Sequence, residues 1–412
     1  MQSHGHRRVW ASFGLLLFAV TWRLWTPQSE FPQIPFFAAL TDVPGYVDWL
    51  AIAVLVLSLL GAGVASRETV WRRAMMVFAT AAVLLILLNQ HRFQPWAYQF
   101  VLFATIMASC RERAANRLMR WIVVSIYVYS AISKFDYQFL HSLGPHFLST
   151  LAGLVGITSA DWPVNLQAWL ASLFPFGELV VGIGLLVSRT RRAAIFAAIG
   201  LHMLLLLILG PWGLSHQPGV LVWNLYFIVQ AWMLFADHRD AEVPLAKDTR
   251  RRVTESLCFV LTCGVIAFPA SEPLGYCDHW PAWELYSPRS SRAHVAIHDS
   301  AVDRLPPEVQ ELLGPASEMA GWRQLHIDRW SLDSLSVPIY PEDRFQIGVA
   351  LALAREHQLG TAIHVVQQSA SHRWNGTRLE RPLLGVEQLH HAGTAFRLNV
   401  QARRWRQDNG TL

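Results

Sequence analysis

The chain has 412 residues, 53 % of them hydrophobic and only 15 % charged, with 18 Trp and 21 Phe. That composition excludes an ordinary soluble domain and indicates an integral membrane protein. The net charge of +5 comes largely from arginines beside apolar segments, so it reports topology and gives no footprint for nucleic acid.

Apolar runs long enough to cross the hydrocarbon, about 17 to 25 residues each, recur along the first two thirds. Nine are expected, roughly at 9–25, 47–65, 72–89, 95–110, 118–135, 166–187, 192–210, 219–236 and 253–270. The fourth is short, and the first carries Arg23 near its far end. The first run also has the charged start of a signal peptide, but WRLWTPQ offers no small-residue cleavage site, so it reads as an anchor.

Arginines should gather on the cytoplasmic side. Arg7 and Arg8 precede the first run; Arg67, Arg72 and Arg73 follow the second; Arg111, Arg113, Arg117 and Arg120 follow the fourth. Arg189, Arg191 and Arg192 follow the sixth, and Arg239, Lys247, Arg250, Arg251 and Arg252 follow the eighth. The intervening connections 26–46, 90–94, 136–165 and 211–218 hold a single arginine among them. This alternation predicts a cytoplasmic N-terminus and an extracytoplasmic C-terminus, in the inner or plasma membrane of a bacterium or an ER-type membrane of a eukaryote.

The expected fold is therefore an α-helical polytopic bundle over residues 1–270, followed by a small α+β extracytoplasmic domain over 275–412. In that second part HVAIHDS and TAIHVVQQS read as strands, and PPEVQELLG and PEDRFQIGVALALAREH read as helices. The four cysteines make no disulfide framework: Cys258 and Cys263 point apart on one helix, Cys110 is expected inside and Cys277 outside.

Of the 34 basic side chains only Lys134 and Lys247 are lysine, and Lys134 ends the apolar helix WIVVSIYVYSAISKFD. Arginine keeps its proton in a protein, whereas a desolvated lysine can act as a base or nucleophile. A snorkelling anchor is the plainer reading. Tyr127, Ser130 and Lys134 follow i, i+3, i+7 spacing, so one helix face carries a phenol, a hydroxyl and an amine and is expected to point into the bundle. Lys134, Asp136, His141, His146, His91, Asn89 and His216 all fall at outer ends and could share one outward-facing cavity. Glu178 and His202, near the middle of the sixth and seventh runs, could pair with each other, as catalytic groups or as interhelical glue. His141 and His146, five apart, do not match a helical metal pair, and no metal is expected.

The stretch IYVYSAISKFDYQFLHSL resembles the vitamin K-dependent gamma-glutamyl carboxylase family and its bacterial relatives with the HTTM transmembrane domain, whose aromatic-rich helix ends in a Lys-Leu-Asp or similar tripeptide, here Lys134-Phe135-Asp136. LNQHRFQPWAYQF, with His91, is similar to the family's Asn-His stretch, and FGELVVGIGLLVSRTRRAAIFAAIGLHMLL to its paired helices with an acidic residue and an inward histidine. The similarity covers roughly 85–236. It implies Lys134 as catalytic base and His91 as the histidine that keeps the amine unprotonated. Asp136, Tyr127, Ser130, Glu178 and His202 would support them. The implied chemistry is deprotonation of a reduced naphthoquinone of the vitamin K type, addition of oxygen, and carboxylation of a glutamate side chain. The implied partners are membrane lipid, the lipophilic quinone and a protein or peptide substrate on the outer side. LGPWGLSHQPG departs from the family pattern, and the outer part does not match the carboxylase's substrate-binding region. Two other readings stay open: a DoxX- or MauE-like membrane redox partner, and a non-catalytic membrane module presenting its C-terminal domain.

Overall fold

The computed structural model describes residues 4–27, 30–159, 161–236, 249–316 and 321–403. Arg239 and Lys247 of the eighth connection lie outside these residues. The first part is helical: α1 His4–Val20, α2 Trp22–Trp25, α3 Tyr46–Val64, α4 Glu68–Leu88, α5 Pro95–Ser109, α6 Glu112–Lys134, α7 Gly144–Leu154, α8 Val164–Ala171, α9 Leu173–Leu186, α10 Arg191–Leu209, α11 Pro218–Phe235 and α12 Thr249–Ala267.

Among the described residues six helical segments are long and apolar enough to cross a membrane: α3, α4, Val164–Leu186, α10, α11 and Arg251–Leu274. A seventh arises if α6 and Phe139–Leu154, which meet at a bend of 79°, form one broken span. By length and composition these helices account for six or seven of the expected nine spans. α1 has 17 residues and α5 only 15, against about 20 for the hydrocarbon core. α5 lies inside the bundle, with Trp96, Phe100, Phe103 and Ile106 all buried.

Arginines gather at one end of the bundle. Arg7 at the start of α1 covers the Trp71 ring near the start of α4 at 4.1 Å. Arg72 donates to the Ala108 carbonyl at the end of α5 at 2.7 Å. Arg111, just before α6, pairs with Glu255 of α12 at 2.8 Å, and Arg120 donates to the Leu234 carbonyl at the end of α11. At the opposite end a buried Asp48 from the start of α3 is held by Arg92, from the turn between α4 and α5, and by Arg403 near the C-terminus, the latter at 2.7 Å.

Over the Arg92 end lies a five-stranded antiparallel sheet, ordered β2-β3-β1-β4-β5, formed by β1 Arg292–His298, β2 Leu313–Ala316, β3 Trp322–Leu325, β4 Ile363–Gln368 and β5 Glu380–Leu384. In central β1 the residues Ala293, Val295 and Ile297 alternate inward, and Val295 faces both Leu325 of β3 and Val365 of β4. Four helices accompany the sheet: α13 Pro307–Gln310, α14 Ile327–Leu335, α15 Asp343–Glu356 and α16 Gly385–Thr394. The strands around 294–300 and 361–369 and the helix at 341–357 stand as expected. PPEVQELLG does not: one helical turn is followed by Leu313 and Gly314 entering β2.

The sheet region is packed directly onto the bundle through one continuous buried cluster running from Trp10 to Ala392. A Cβ on Gly348 of α15 would stand 2.5 Å from Ile34 Cδ1 and 2.7 Å from the Val400 carbonyl, so only glycine lets α15 lie against these two segments. Arg344 of α15 donates to Gln90 Oε1 at 3.1 Å and Asp278 Oδ2 at 2.8 Å, while Tyr98 of α5 stacks on Trp283 at 4.9 Å.

Candidate functional site

Lys134 is buried, at 2 % exposure. Its Nζ lies 2.7 and 2.8 Å from the Glu178 carboxylate oxygens and donates to Ser130 Oγ at 2.6 Å. The contact depends on close approach of α9 to α6, because a Cβ on Gly182 would stand only 3.0 Å from Tyr127 Cβ. With glycine there, Glu178, one turn earlier on α9, reaches the amine. The snorkelling reading of Lys134 is thereby overturned: the side chain turns inward to a partner.

The expected pairing of Glu178 with His202 is also corrected. His202 of α10 instead joins Tyr127 and Asn224. Asn224 Nδ2 donates to the Val220 carbonyl at 2.9 Å, leaving Oδ1 to accept from His202 Nδ1 at 2.9 Å. Nε2 then accepts from the Tyr127 hydroxyl at 2.7 Å, and the ring stacks on Phe227 at 4.6 Å. Tyr127, Ser130, Lys134, Glu178, His202 and Asn224 line one cavity of about 40 Å³, closed by Trp223, Leu285 and Tyr286. The Tyr127–Ser130–Lys134 face therefore points into the bundle, as its spacing predicts. Asn224 escaped the sequence reading although it is one of only two amides in an apolar helix, with Gln230; Tyr286 carried no sequence signal.

A second chamber of about 260 Å³ lies between the bundle and the sheet region, walled by Trp96, Trp223, Trp280, Tyr286, His216 and Pro338 among others. Trp223, Leu285 and Tyr286 border both spaces. Backbone strain gathers around this chamber. Tyr286 and Ser336, both in its wall, have φ of 58° and 56°, and Trp283, next to the lining residue Glu284, has 61°. Non-glycine residues held in the left-handed region persist only where the surroundings impose them.

The outer-end residues do not share one cavity. His216 lines the larger chamber. His141 stacks on Tyr137 at 4.1 Å. Asp136 accepts from the Phe139 amide at 2.7 Å and so caps the bend after α6. His91 is fully buried between Phe31 and Phe345, with Nε2 donating to the Pro338 carbonyl at 2.9 Å. Its burial depresses the imidazole pKa to about 4, so the ring is neutral. Among the described residues His91 and Lys134 share neither a hydrogen-bond partner nor a cavity wall; the group on the amine is Glu178.

A third polar cluster was passed over in the sequence. His279 lies 3.0 Å from Glu284, 3.3 Å from Glu272 and 3.9 Å from Glu342, and Arg289 pairs with Glu272. Burial and the nearby Asp278 carboxylate push the Glu342 carboxyl up to about 8. Glu272, His279, Glu284 and Arg289 fall in stretches that the sequence reading assigned to no helix or strand, and Glu342, at the start of a predicted helix, read only as a residue of its first turn.

The chain matches no family model, no curated protein and no solved structure.

Proposed function

We propose that the chain is an integral membrane protein with its sheet region on the extracytoplasmic side, and that it carries out base chemistry at Lys134 on a lipophilic quinol, as a quinol- and oxygen-dependent carboxylase-like enzyme. The observation that carries this reading is the buried Lys134–Glu178–Ser130 contact in the smaller cavity, which Trp223, Leu285 and Tyr286 part from the larger chamber. A desolvated ammonium–carboxylate pair can shift one proton along its 2.7 Å contact and become an amine and a carboxylic acid. The uncharged form avoids the desolvation cost of two buried ions. The amine so released can accept a proton from an acidic hydroxyl.

The larger chamber suits the quinol. A dry cavity of about 150 Å³ accommodates benzene, so about 260 Å³ with three tryptophans and Tyr286 in its walls has room for a fused bicyclic ring. The reduced naphthoquinone would supply the electrons that activate oxygen; Lys134, Glu178 and Ser130 would move its proton, and Tyr127, His202 and Asn224 would fix the opposite wall. Glu178, rather than His91, takes the part of the group that tunes the amine.

A thiol-relaying redox partner is less well supported. Cys110 and Cys258 adjoin each other at the arginine-rich end of the bundle, away from the chamber, and both are free. The purified protein in detergent, given a reduced naphthoquinone, should consume oxygen, and Lys134→Arg should abolish that consumption because guanidinium cannot take up the proton. Undiminished uptake by Lys134→Arg would end the amine-base reading and favour the redox-partner or presenting-module alternatives.

A further inference from the structure

We propose that Glu272, His279 and Glu284 form a site for one divalent first-row transition cation of the zinc(II) or manganese(II) kind, open toward the 260 Å³ chamber. The three residues are 7 %, 3 % and 8 % exposed, and one donor atom from each lies within 4.8 Å of the others. An imidazole with two carboxylates suits zinc or manganese; magnesium and calcium favour all-oxygen shells.

The orphaned atoms point to a ligand. His279 Nε2 and Glu284 Oε2 are buried and 3.0 Å apart, yet neither has a hydrogen-bond partner. They face one another without the alignment a hydrogen bond needs. Metal bonds of ~2.0–2.2 Å in a tetrahedral shell place neighbouring donors about 3.3 Å apart, so small shifts would seat a cation between them. Buried polar atoms without partners are rare and call for an explanation such as an ion.

The local chain holds this geometry. The Glu284 amide donates to the His279 carbonyl at 3.0 Å, closing a tight loop over His279–Glu284. Trp283, at φ 61°, sets the direction in which Glu284 leaves that loop. The other ring nitrogen, Nδ1, has carboxylate neighbours, as ligating histidines usually do: Glu272 Oε1 lies 3.3 Å and Glu342 Oε1 3.9 Å from it, and Glu342 Oε1 also accepts from the His279 amide at 2.9 Å.

Arg289 is the rival cation, since Nη2 pairs with Glu272 and lies 3.7 Å from Glu284 Oε1. One guanidinium offsets one of two carboxylates. The second negative charge and the imidazole lone pair remain for a divalent ion, whose free positions would face the chamber that His279 and Glu284 line. An oxyanion group of a chamber ligand could complete the shell. This inference does not depend on Lys134 acting as a base.

The full chain, purified in detergent and stripped with a chelator, should be dialysed separately against zinc, manganese and magnesium and its metal content measured. About one equivalent of zinc or manganese and little magnesium is expected, with a higher thermal midpoint. His279→Ala and Glu284→Gln should bind at least tenfold more weakly while keeping the wild-type circular dichroism. Less than a tenth of an equivalent in wild type would overturn the proposal and leave Arg289 as the cluster's only cation. Binding unchanged in Glu284→Gln would overturn it too. Should the variants not fold, X-ray absorption of the loaded wild type decides: one nitrogen with oxygens supports the site, and sulfur or all-oxygen ligation sinks it. Loss of the metal site would leave the Lys134→Arg oxygen assay intact as a separate test.

Discussion

Lys134 Nζ lies 2.7 Å from Glu178 Oε2, with both side chains buried and both in the wall of a cavity that holds no other charged side chain among the described residues. A buried pair of this kind behaves asymmetrically. Removing one partner strands a charge at a cost of about 3–5 kcal/mol, whereas replacing both by apolar groups of similar volume is often neutral. Glu178→Gln should therefore lower the thermal midpoint strongly, and Lys134→Met combined with Glu178→Leu should recover most of the loss. A double-mutant cycle by thermal denaturation in detergent measures this. Simple addition of the two single effects would mean that the residues do not interact.

His91 should make the protein acid-sensitive. Its folded-state pKa of about 4 lies below the ordinary 6.5 because burial opposes the charged ring. Between these values the unfolded chain binds a proton that the folded chain does not, so stability falls as the pH drops from about 6.5 to about 4. His91→Gln should flatten that part of the stability curve and leave the shape above pH 7 unchanged. Parallel curves for the two proteins would dispose of the assignment.

Topology is testable at exposed positions, which the native thiols do not all provide: Cys110 and Cys277 are buried. In a background without native cysteines, Asp303→Cys in the sheet region and Arg189→Cys in the connection between α9 and α10 are both solvent-facing. A membrane-impermeant thiol reagent applied to intact cells or spheroplasts should label the first and spare the second. The reverse pattern would invert the proposed orientation.

Asp48 is fully buried between two guanidiniums. Asp48→Asn would leave Arg92 and Arg403 facing each other with no anion, and the expected loss is about 3–5 kcal/mol or more. Arg403→Gln should cost less, since Arg92 still neutralises the carboxylate. Denaturant midpoints compare the two, and equal effects would show that Arg403 carries as much of the network as Asp48.

Much of this architecture is written locally. The apolar runs, the arginines at alternate connections, the Tyr127–Ser130–Lys134 face of α6 and the buried α15 all follow from residues within a few turns of one another, where composition and period suffice. Span number was less legible, because α1 and α5 are apolar yet shorter than the hydrocarbon core requires. The site's pairings belong to the tertiary structure. Glu178 reaches Lys134 only because Gly182 lets α9 approach α6, and His202 turns to Tyr127 and Asn224 because the relative rotation of three helices puts them together. The sheet region draws His91 under Pro338, away from the amine, and brings His279, Glu284 and Glu272 into one cluster. Such contacts depend on distances between segments far apart in the chain, and no periodicity within one segment encodes them.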